Sequence, residues 1–136
     1  MIILAIDLGR ARTGIAACDR EERLAFPVTT LHERQEERLL ESIVSLSAEH
    51  RAEALVVGHP RNMDGSYGDS AARAAAFARA LEQRTNLPVT LWDERLTTVE
   101  ATRHLEASGT YGRKRKAAVD AVAAVVILEG YLQSRQ

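Results

Sequence analysis

The feature that most constrains this chain is Ile2-Ile3-Leu4-Ala5-Ile6, an unbroken apolar run stopped by Asp7. A run of that length without polar alternation reads as a strand buried on both faces, the kind found where helices cover a sheet on its two sides. Two further strand-like runs follow, residues 14–18 and 24–31, the first joined to residues 2–6 by a polar turn over 10–13. The first two runs read as a hairpin and the third as a further strand. Pro27 lies inside the third run. Proline has no N–H to give to a ladder, so this strand is expected at a sheet edge or with a bulge.

Beyond residue 32 the pattern alternates. Leu39, Leu40, Ile43, Val44 and Leu46 recur at near-helical spacing and predict a helix over 33–49. Residues 54–57 form a fourth apolar run, and 59–68 a loop rich in turn formers. An alanine-rich helix is expected over 69–84, burying Ala72, Ala76, Phe77, Ala80 and Leu81 and stopped by Asn86 and Pro88. Residues 89–92 are a fifth strand. Thr97 with Glu100 three residues on has the pattern of a capping box and opens a helix that ends near Gly109. A basic loop over 110–116 leads to a last helix over 117–132. The order β-β-β-α-β-α-β-α-α predicts an α/β domain, a five-stranded mixed sheet with helices on both faces. At 136 residues, with no repeat or linker, the chain reads as one domain over 1–136.

Composition narrows the functional classes. The chain is 46% hydrophobic and 27% charged with a net charge of -1, so no global field draws in nucleic acid and any such site depends on local basic clustering. Cys18 is the only cysteine, which excludes an internal disulfide and reads as a small buried side chain. The short apolar start lacks a basic lead, and the longest apolar run, 121–128, is far below a membrane span. A cytosolic location without membrane attachment is the expectation.

Three acidic positions stand where apolar structure ends or is interrupted. Asp7 closes the first strand, and ligands of open α/β sheets gather at the carboxyl ends of strands. An Asp before Gly9 is equally an ordinary turn former. Asp93 and Glu94 follow the fifth strand, and the two-residue period sends them to opposite faces without saying which one joins Asp7. Asp120 is the only charge in residues 117–128, in line with Ala124, Ile127 and Tyr131 on a helical stripe. Its plainer role would be to cap the start of that helix. Carboxylates gathered within about 4 Å repel by roughly 4 kcal/mol at an effective dielectric near 20. A divalent cation reverses the sign, and hard oxygen donors suit Mg²⁺ or Mn²⁺. Such ions activate water for phosphodiester hydrolysis.

Basic residues stand close in sequence to these acids. Arg113, Lys114, Arg115 and Lys116 immediately precede the helix of Asp120 and read as a phosphate-gripping loop, with Arg10 and Arg12 beside Asp7. His59 and Asn62, in the loop after the fourth strand, are candidates to position substrate or water. Trp92, Phe77 and Phe26 read as core, and 4% aromatic content gives little support to base stacking.

Four blocks, in order, resemble the YqgF/RuvX family of pre-16S rRNA nucleases, related in fold to Holliday-junction resolvases. They are Asp7-Leu8-Gly9-Arg10-Ala11-Arg12-Thr13-Gly14-Ile15-Ala16 with Asp19, then Val57-Gly58-His59-Pro60 through Asn62-Met63-Asp64-Gly65. Asp93-Glu94-Arg95-Leu96-Thr97-Thr98 is the third, and Lys116 through Asp120 to Ala123-Ala124 and Ile127-Leu128 the fourth. The resemblance spans essentially the whole chain. It implies an RNase H-like fold, Asp7, Glu94 and Asp120 as catalytic metal ligands, and precursor rRNA as substrate. Leu8, His59 and Arg61 depart from the family pattern, and Arg61 adds a charge beside the implied site.

Other readings stay open at this stage. Branched DNA as substrate would require two sites on one junction and hence a homodimer. D-x-G-x-x-x-x-G is also similar to the phosphate loop of actin-like and sugar-kinase ATPases, although those need a second lobe. A catalytically silent nucleic-acid-binding module would have no need of all three acids.

Overall fold

A computed structural model describes residues 1–59, 68–93 and 113–136, with the backbone alone at 113–120. The elements are β1 (Ile3–Asp7), β2 (Arg12–Cys18), β3 (Ala25–His32), α1 (Glu36–Glu49), β4 (Ala54–His59), α2 (Asp69–Thr85), β5 (Val89–Asp93) and α3 (Arg113–Ser134). The helix expected over 97–109 and most of the turn-rich loop after β4 lie outside the described residues.

The strands form one five-stranded mixed sheet in the order β3-β2-β1-β4-β5. The apolar run of β1 takes the centre, antiparallel to β2 and parallel to β4, which is in turn parallel to β5. Pro27 meets both expectations made of it. β3 is an edge strand, and its register against β2 shifts between Ile15 and Ala16, where Pro27 stands opposite Ala16.

The pleat of β1 divides the core in two. Leu4 and Ile6 pack with Ile15, Ala17, Leu55 and Val57 against Leu39, Leu40 and Ile43 of α1 and Ala74, Phe77, Ala78 and Leu81 of α2. Ile3 and Ala5 pack with Ala16, Cys18, Ala54 and Val56 against Ala124, Val125, Ile127, Leu128 and Leu132 of α3. Helices thus cover both faces, which is why β1 carries no polar residue before Asp7.

α3 runs antiparallel to β1. Leu132 belongs to the cluster against which Met1, Ala25 and Tyr131 pack, and Arg135 Nε donates to Glu22 Oε1 at 2.7 Å. The other oxygen of Glu22 accepts from the Met1 nitrogen at 3.0 Å. The helix end is therefore anchored at the beginning of β1. From Leu132 back to Asp120 a helix rises about 18 Å, and from Met1 to Asp7 a strand rises about 20 Å. The two lengths are nearly equal, so an α3 lying along β1 would carry backbone position 120 to about the level of Asp7.

The structure departs from the sequence pattern at several places. Arg12 and Thr13 belong to β2, not to a turn; Thr13 pairs with Leu31 and is fully buried. His59 and Asp93 end strands instead of standing in loops. The buried stripe of α2 is Ala71, Ala74, Phe77, Ala78 and Leu81, whereas Ala72 and Ala76 are not part of it. Phe26 is 43% exposed because its edge strand has a neighbour on one side only. Residues 113–116 are the first turn of α3, not a loop. Arg and Lys are good helix formers, and no Gly or Pro interrupts the chain from Arg113 to Asp120.

Candidate active site

β1, β4 and β5 are mutually parallel, so their carboxyl ends share one edge of the sheet, closed by Asp7, His59 and Asp93. This is where an open α/β sheet presents ligands. The pleat then sorts the three residues. Asp7 alternates with Ile3 and Ala5 and lies on the α3 face. His59 and Asp93 are register partners, and they alternate with Val57 and Leu91 of the α1/α2 face. Asp93 is thus on the opposite face from Asp7.

Asp7 has an unusual floor. Its partner on β2 is Gly14, and one step beyond the Ile6–Val57 pair its neighbour on β4 is Gly58. Gly58 in turn pairs with Trp92. On the α3 face the carboxylate therefore stands between two residues without side chains, with the indole next in the row. Neither flanking position adds a side chain beside this half-buried carboxylate, and a hard oxygen donor of this kind suits a hydrated divalent cation.

The turn after Asp7 is tightly specified. A β-carbon on Gly9 would collide with the backbone carbonyl of Arg12, so glycine is required there by close approach. Arg73 of α2 donates from Nη1 to the Gly9 carbonyl at 2.9 Å and from Nε to Glu36 Oε1 at 3.0 Å. Nothing in the sequence pattern singled out Arg73, because its partner is 64 residues away. Arg10 is exposed in the turn. Arg12 is exposed on β2 and alternates with Gly14, which puts it on the face of Asp7 beside its partner His32.

Asp120 is the eighth residue of α3, counting from Arg113, and lies past the first turn, so the capping role does not apply. Its stripe is as expected, with Ala124 and Ile127 buried and Tyr131 packed on the same cluster. The side chains of Asp120, Arg113, Lys114, Arg115 and Lys116 lie outside the described residues, as do Glu94 and Asn62 altogether. Asp7 is the one member of the expected carboxylate trio whose side chain is described. Among the described residues no three His, Cys, Asp or Glu side chains gather to hold a metal.

Two other acids are structural. Asp19 accepts from the backbone N–H groups of Leu24 and Arg23, at 3.0 and 2.7 Å, and these bonds lower its pKa and hold the β2–β3 turn. Glu22 sits at a left-handed φ of 58° in that turn, its carboxyl held below the usual range first by Arg135 and then by the Met1 nitrogen. Burial pushes the Cys18 thiol up, in keeping with a packed and unreactive side chain.

The family model described as "RuvX: Holliday junction resolvase" matches residues 1–134. The chain belongs to this family. A RuvX-family relative from Lachnospira eligens, named "Putative pre-16S rRNA nuclease", is 42% identical over 139 residues, covering 100% of this chain and 99% of that protein. One of the same name from Anaeromyxobacter sp. (strain Fw109-5) is 46% identical over 135 residues, covering 99% of this chain and 98% of the relative. Among solved structures, Thermus thermophilus RuvC in complex with a Holliday junction substrate aligns with a TM-score of 0.65 at 13% identity, covering 99% of this chain and 95% of that one. The RuvX-family chain thus has the RuvC-like, RNase H-like fold. Among its described residues no helix is long and apolar enough to cross a membrane.

Proposed function

We propose that this RuvX-family chain is a cytoplasmic, divalent-metal-dependent nuclease that hydrolyses phosphodiester bonds, with Asp7, Glu94 and Asp120 as ligands of Mg²⁺ or Mn²⁺. The observation that carries the reading is Asp7 on the α3 face with Gly14 and Gly58 as its neighbours across the sheet. Glu94 is chosen over Asp93 because Asp93 follows the pleat to the other face. The resemblance to the family assigns the neighbouring Glu94 to the site. When bound, the ion supplies a water of lowered pKa and charge stabilisation at the phosphoryl oxygens. The carboxylates hold hard oxygens at a strand end. The glycine floor lets a phosphate approach, and Arg10, Arg12 and the cations at 113–116 grip flanking phosphates. His59 ends β4 on the same sheet edge, Asn62 follows it three residues on in the sequence, and both are assigned to substrate positioning.

The substrate assigned is precursor 16S rRNA, on the strength of relatives of that name aligned along nearly their full length. Branched DNA is the second reading, favoured by the family description and the RuvC-like fold. That reading requires a homodimer, which places two sites on one junction. The test compares precursor rRNA, linear DNA and a four-way junction with Mn²⁺, with Mg²⁺ and in EDTA. Expected is cleavage of precursor rRNA that needs metal and is abolished in Asp7→Asn, Glu94→Gln and Asp120→Asn while the circular dichroism spectrum is unchanged. Cleavage persisting in EDTA or in Asp7→Asn would overturn the metal mechanism, and preferential cutting of the junction would favour the second reading.

A further inference from the structure

We propose that Arg73 is a positioning residue that holds the Asp7 turn in its metal-binding form, an inference that rests on the metal-site reading above. The turn from Leu8 to Ala11 links the strand that ends in Asp7 to the strand that carries Arg12 and Gly14. A guanidinium fastens it from outside. Nη1 of Arg73 donates to the Gly9 carbonyl at 2.9 Å while Nε is held by Glu36 at 3.0 Å. One side chain therefore joins the β1–β2 turn to the first turn of α1 and the second turn of α2.

The geometry separates positioning from direct participation. Arg73 belongs to α2, on one face of the sheet, while the pleat puts Asp7 on the face covered by α3. The guanidinium thus acts on Asp7 through the main chain of Gly9. Close packing of Gly9 on the Arg12 carbonyl leaves this turn little alternative shape, so fixing the Gly9 carbonyl fixes the turn. Arg73 is only 30% exposed, and its bond to the carbonyl is charge-assisted. Glu36 is 53% exposed, so the ion pair adds little by itself and serves to aim the guanidinium. Lysine, with a single ammonium, cannot reproduce the planar fork that meets both acceptors.

The arrangement has a further consequence for the site. α2 begins at Asp69, shortly after the segment that contains Asn62. The same contact ties the Asp7 turn to the helix that follows that segment in the sequence. Residues that orient metal ligands from outside the ligand set commonly change metal affinity by about 10–100-fold when removed.

Two measurements test this on the full chain. Mn²⁺ is titrated by calorimetry into the wild type, Arg73→Met, Arg73→Lys, Glu36→Gln and Asp7→Asn, and amide hydrogen exchange is followed over residues 8–12. Expected is loss of Mn²⁺ binding in Asp7→Asn. In Arg73→Met the Kd should be about tenfold weaker, with partial recovery in Arg73→Lys. Glu36→Gln should have a smaller effect. Exchange should rise in residues 8–12 of Arg73→Met while core amides of β1 and β4 stay protected. Unchanged Mn²⁺ affinity together with unchanged exchange would overturn the proposal, as would faster exchange spread evenly through the core. If the wild type binds no Mn²⁺, the metal reading has failed, and exchange alone decides: selective loss of protection in residues 8–12 supports a positioning role, and its absence overturns it.

Discussion

The indole of Trp92 lies against Gly130, where an added β-carbon would sit 3.2 Å from Nε1 and 3.4 Å from Cζ2. The neighbouring Tyr131 ring meets the indole edge-on, with centroids 5.8 Å apart. This contact joins β5, which leads directly to Glu94, to α3, which carries Asp120. The glycine that permits it stands inside a helix, where alanine would ordinarily be favoured by about 1 kcal/mol.

Gly130 therefore sets two effects against each other. Gly130→Ala gains helix propensity but crowds a rigid ring, and a net change within about 1 kcal/mol is expected. Gly130→Leu has no room and should destabilise by about 2 kcal/mol or more. Urea unfolding of the two variants checks this. A Gly130→Leu protein as stable as the wild type would mean that the helix does not press on the indole.

Thr13 supplies a prediction of the opposite sign. Its side chain is fully buried, and among the described residues its Oγ1 has no hydrogen-bond partner. A buried hydroxyl without a partner is a desolvation cost with no return. Thr13→Val keeps the β-branched shape that suits a strand and should stabilise the protein by about 1 kcal/mol. Thermal unfolding reads the change, and a lowered Tm would show that the hydroxyl is satisfied in solution.

Glu22 and Arg135 give a pH signature. The Glu22 carboxyl is held below its usual range in the folded chain, chiefly by Arg135 and also by the Met1 nitrogen. A depressed carboxyl stabilises the fold at pH values above its unfolded pKa, and that share is lost as pH falls through the folded value. The Tm difference between pH 7 and pH 3 should therefore shrink in Glu22→Gln and, by less, in Arg135→Gln, where the Met1 nitrogen still holds the carboxyl. An unchanged pH dependence in Glu22→Gln would show that the pair contributes nothing to acid sensitivity.

What the sequence disclosed about this fold depended on contrast between residues. An unbroken apolar run ended by Asp7 has one reading, and β1 is indeed the central strand with Asp7 as its last residue. Asp120 was legible as a lone charge on an apolar stripe, although its distance from the helix start was not, because Arg and Lys serve both loops and helices. The alanine-rich α2 hid its buried stripe, since Ala71, Ala74 and Ala78 differ from Ala72 and Ala76 in nothing but position. Short-range polarity reads Arg12 and Thr13 as turn residues because it says nothing of the pairing with β3 that draws them into the sheet. Arg73 was out of reach for a similar reason, as a charge on a surface helix acquires meaning only from the distant carbonyl it meets.

The cations at 113–116 are in a helical turn, and this changes what their substitution should do. Four consecutive residues in a helix spread around the axis, and only positions three or four apart share a side. Arg113→Gln with Lys116→Gln should therefore differ from Lys114→Gln with Arg115→Gln in its effect on binding. Removal of each cation that grips a phosphate should reduce the slope of log K against log salt by about 0.7 for single-stranded nucleic acid. Filter binding of precursor rRNA at several salt concentrations separates the pairs. Equal slopes for both pairs would mean that the helix does not present its first turn to phosphate.

The glycine floor beside Asp7 leads to the most direct prediction about the site. Gly14 and Gly58 flank the carboxylate on the face where α3 packs, so a side chain at either position would occupy the space assigned to the ion and the phosphate. Gly14 lies on a strand whose neighbours Thr13 and Ile15 are β-branched, and the pairing there does not itself demand glycine. Gly14→Val should consequently retain a folded sheet, since valine suits strands. It should still lose Mn²⁺ binding and at least about tenfold in cleavage, as loss of groups that shape a metal site commonly costs. Gly14→Ala should show a smaller defect of the same kind. Calorimetric Mn²⁺ titration beside a circular dichroism melt distinguishes a filled site from an unfolded chain. A Gly14→Val protein that melts like the wild type and binds Mn²⁺ as tightly would place the ion somewhere other than beside Asp7.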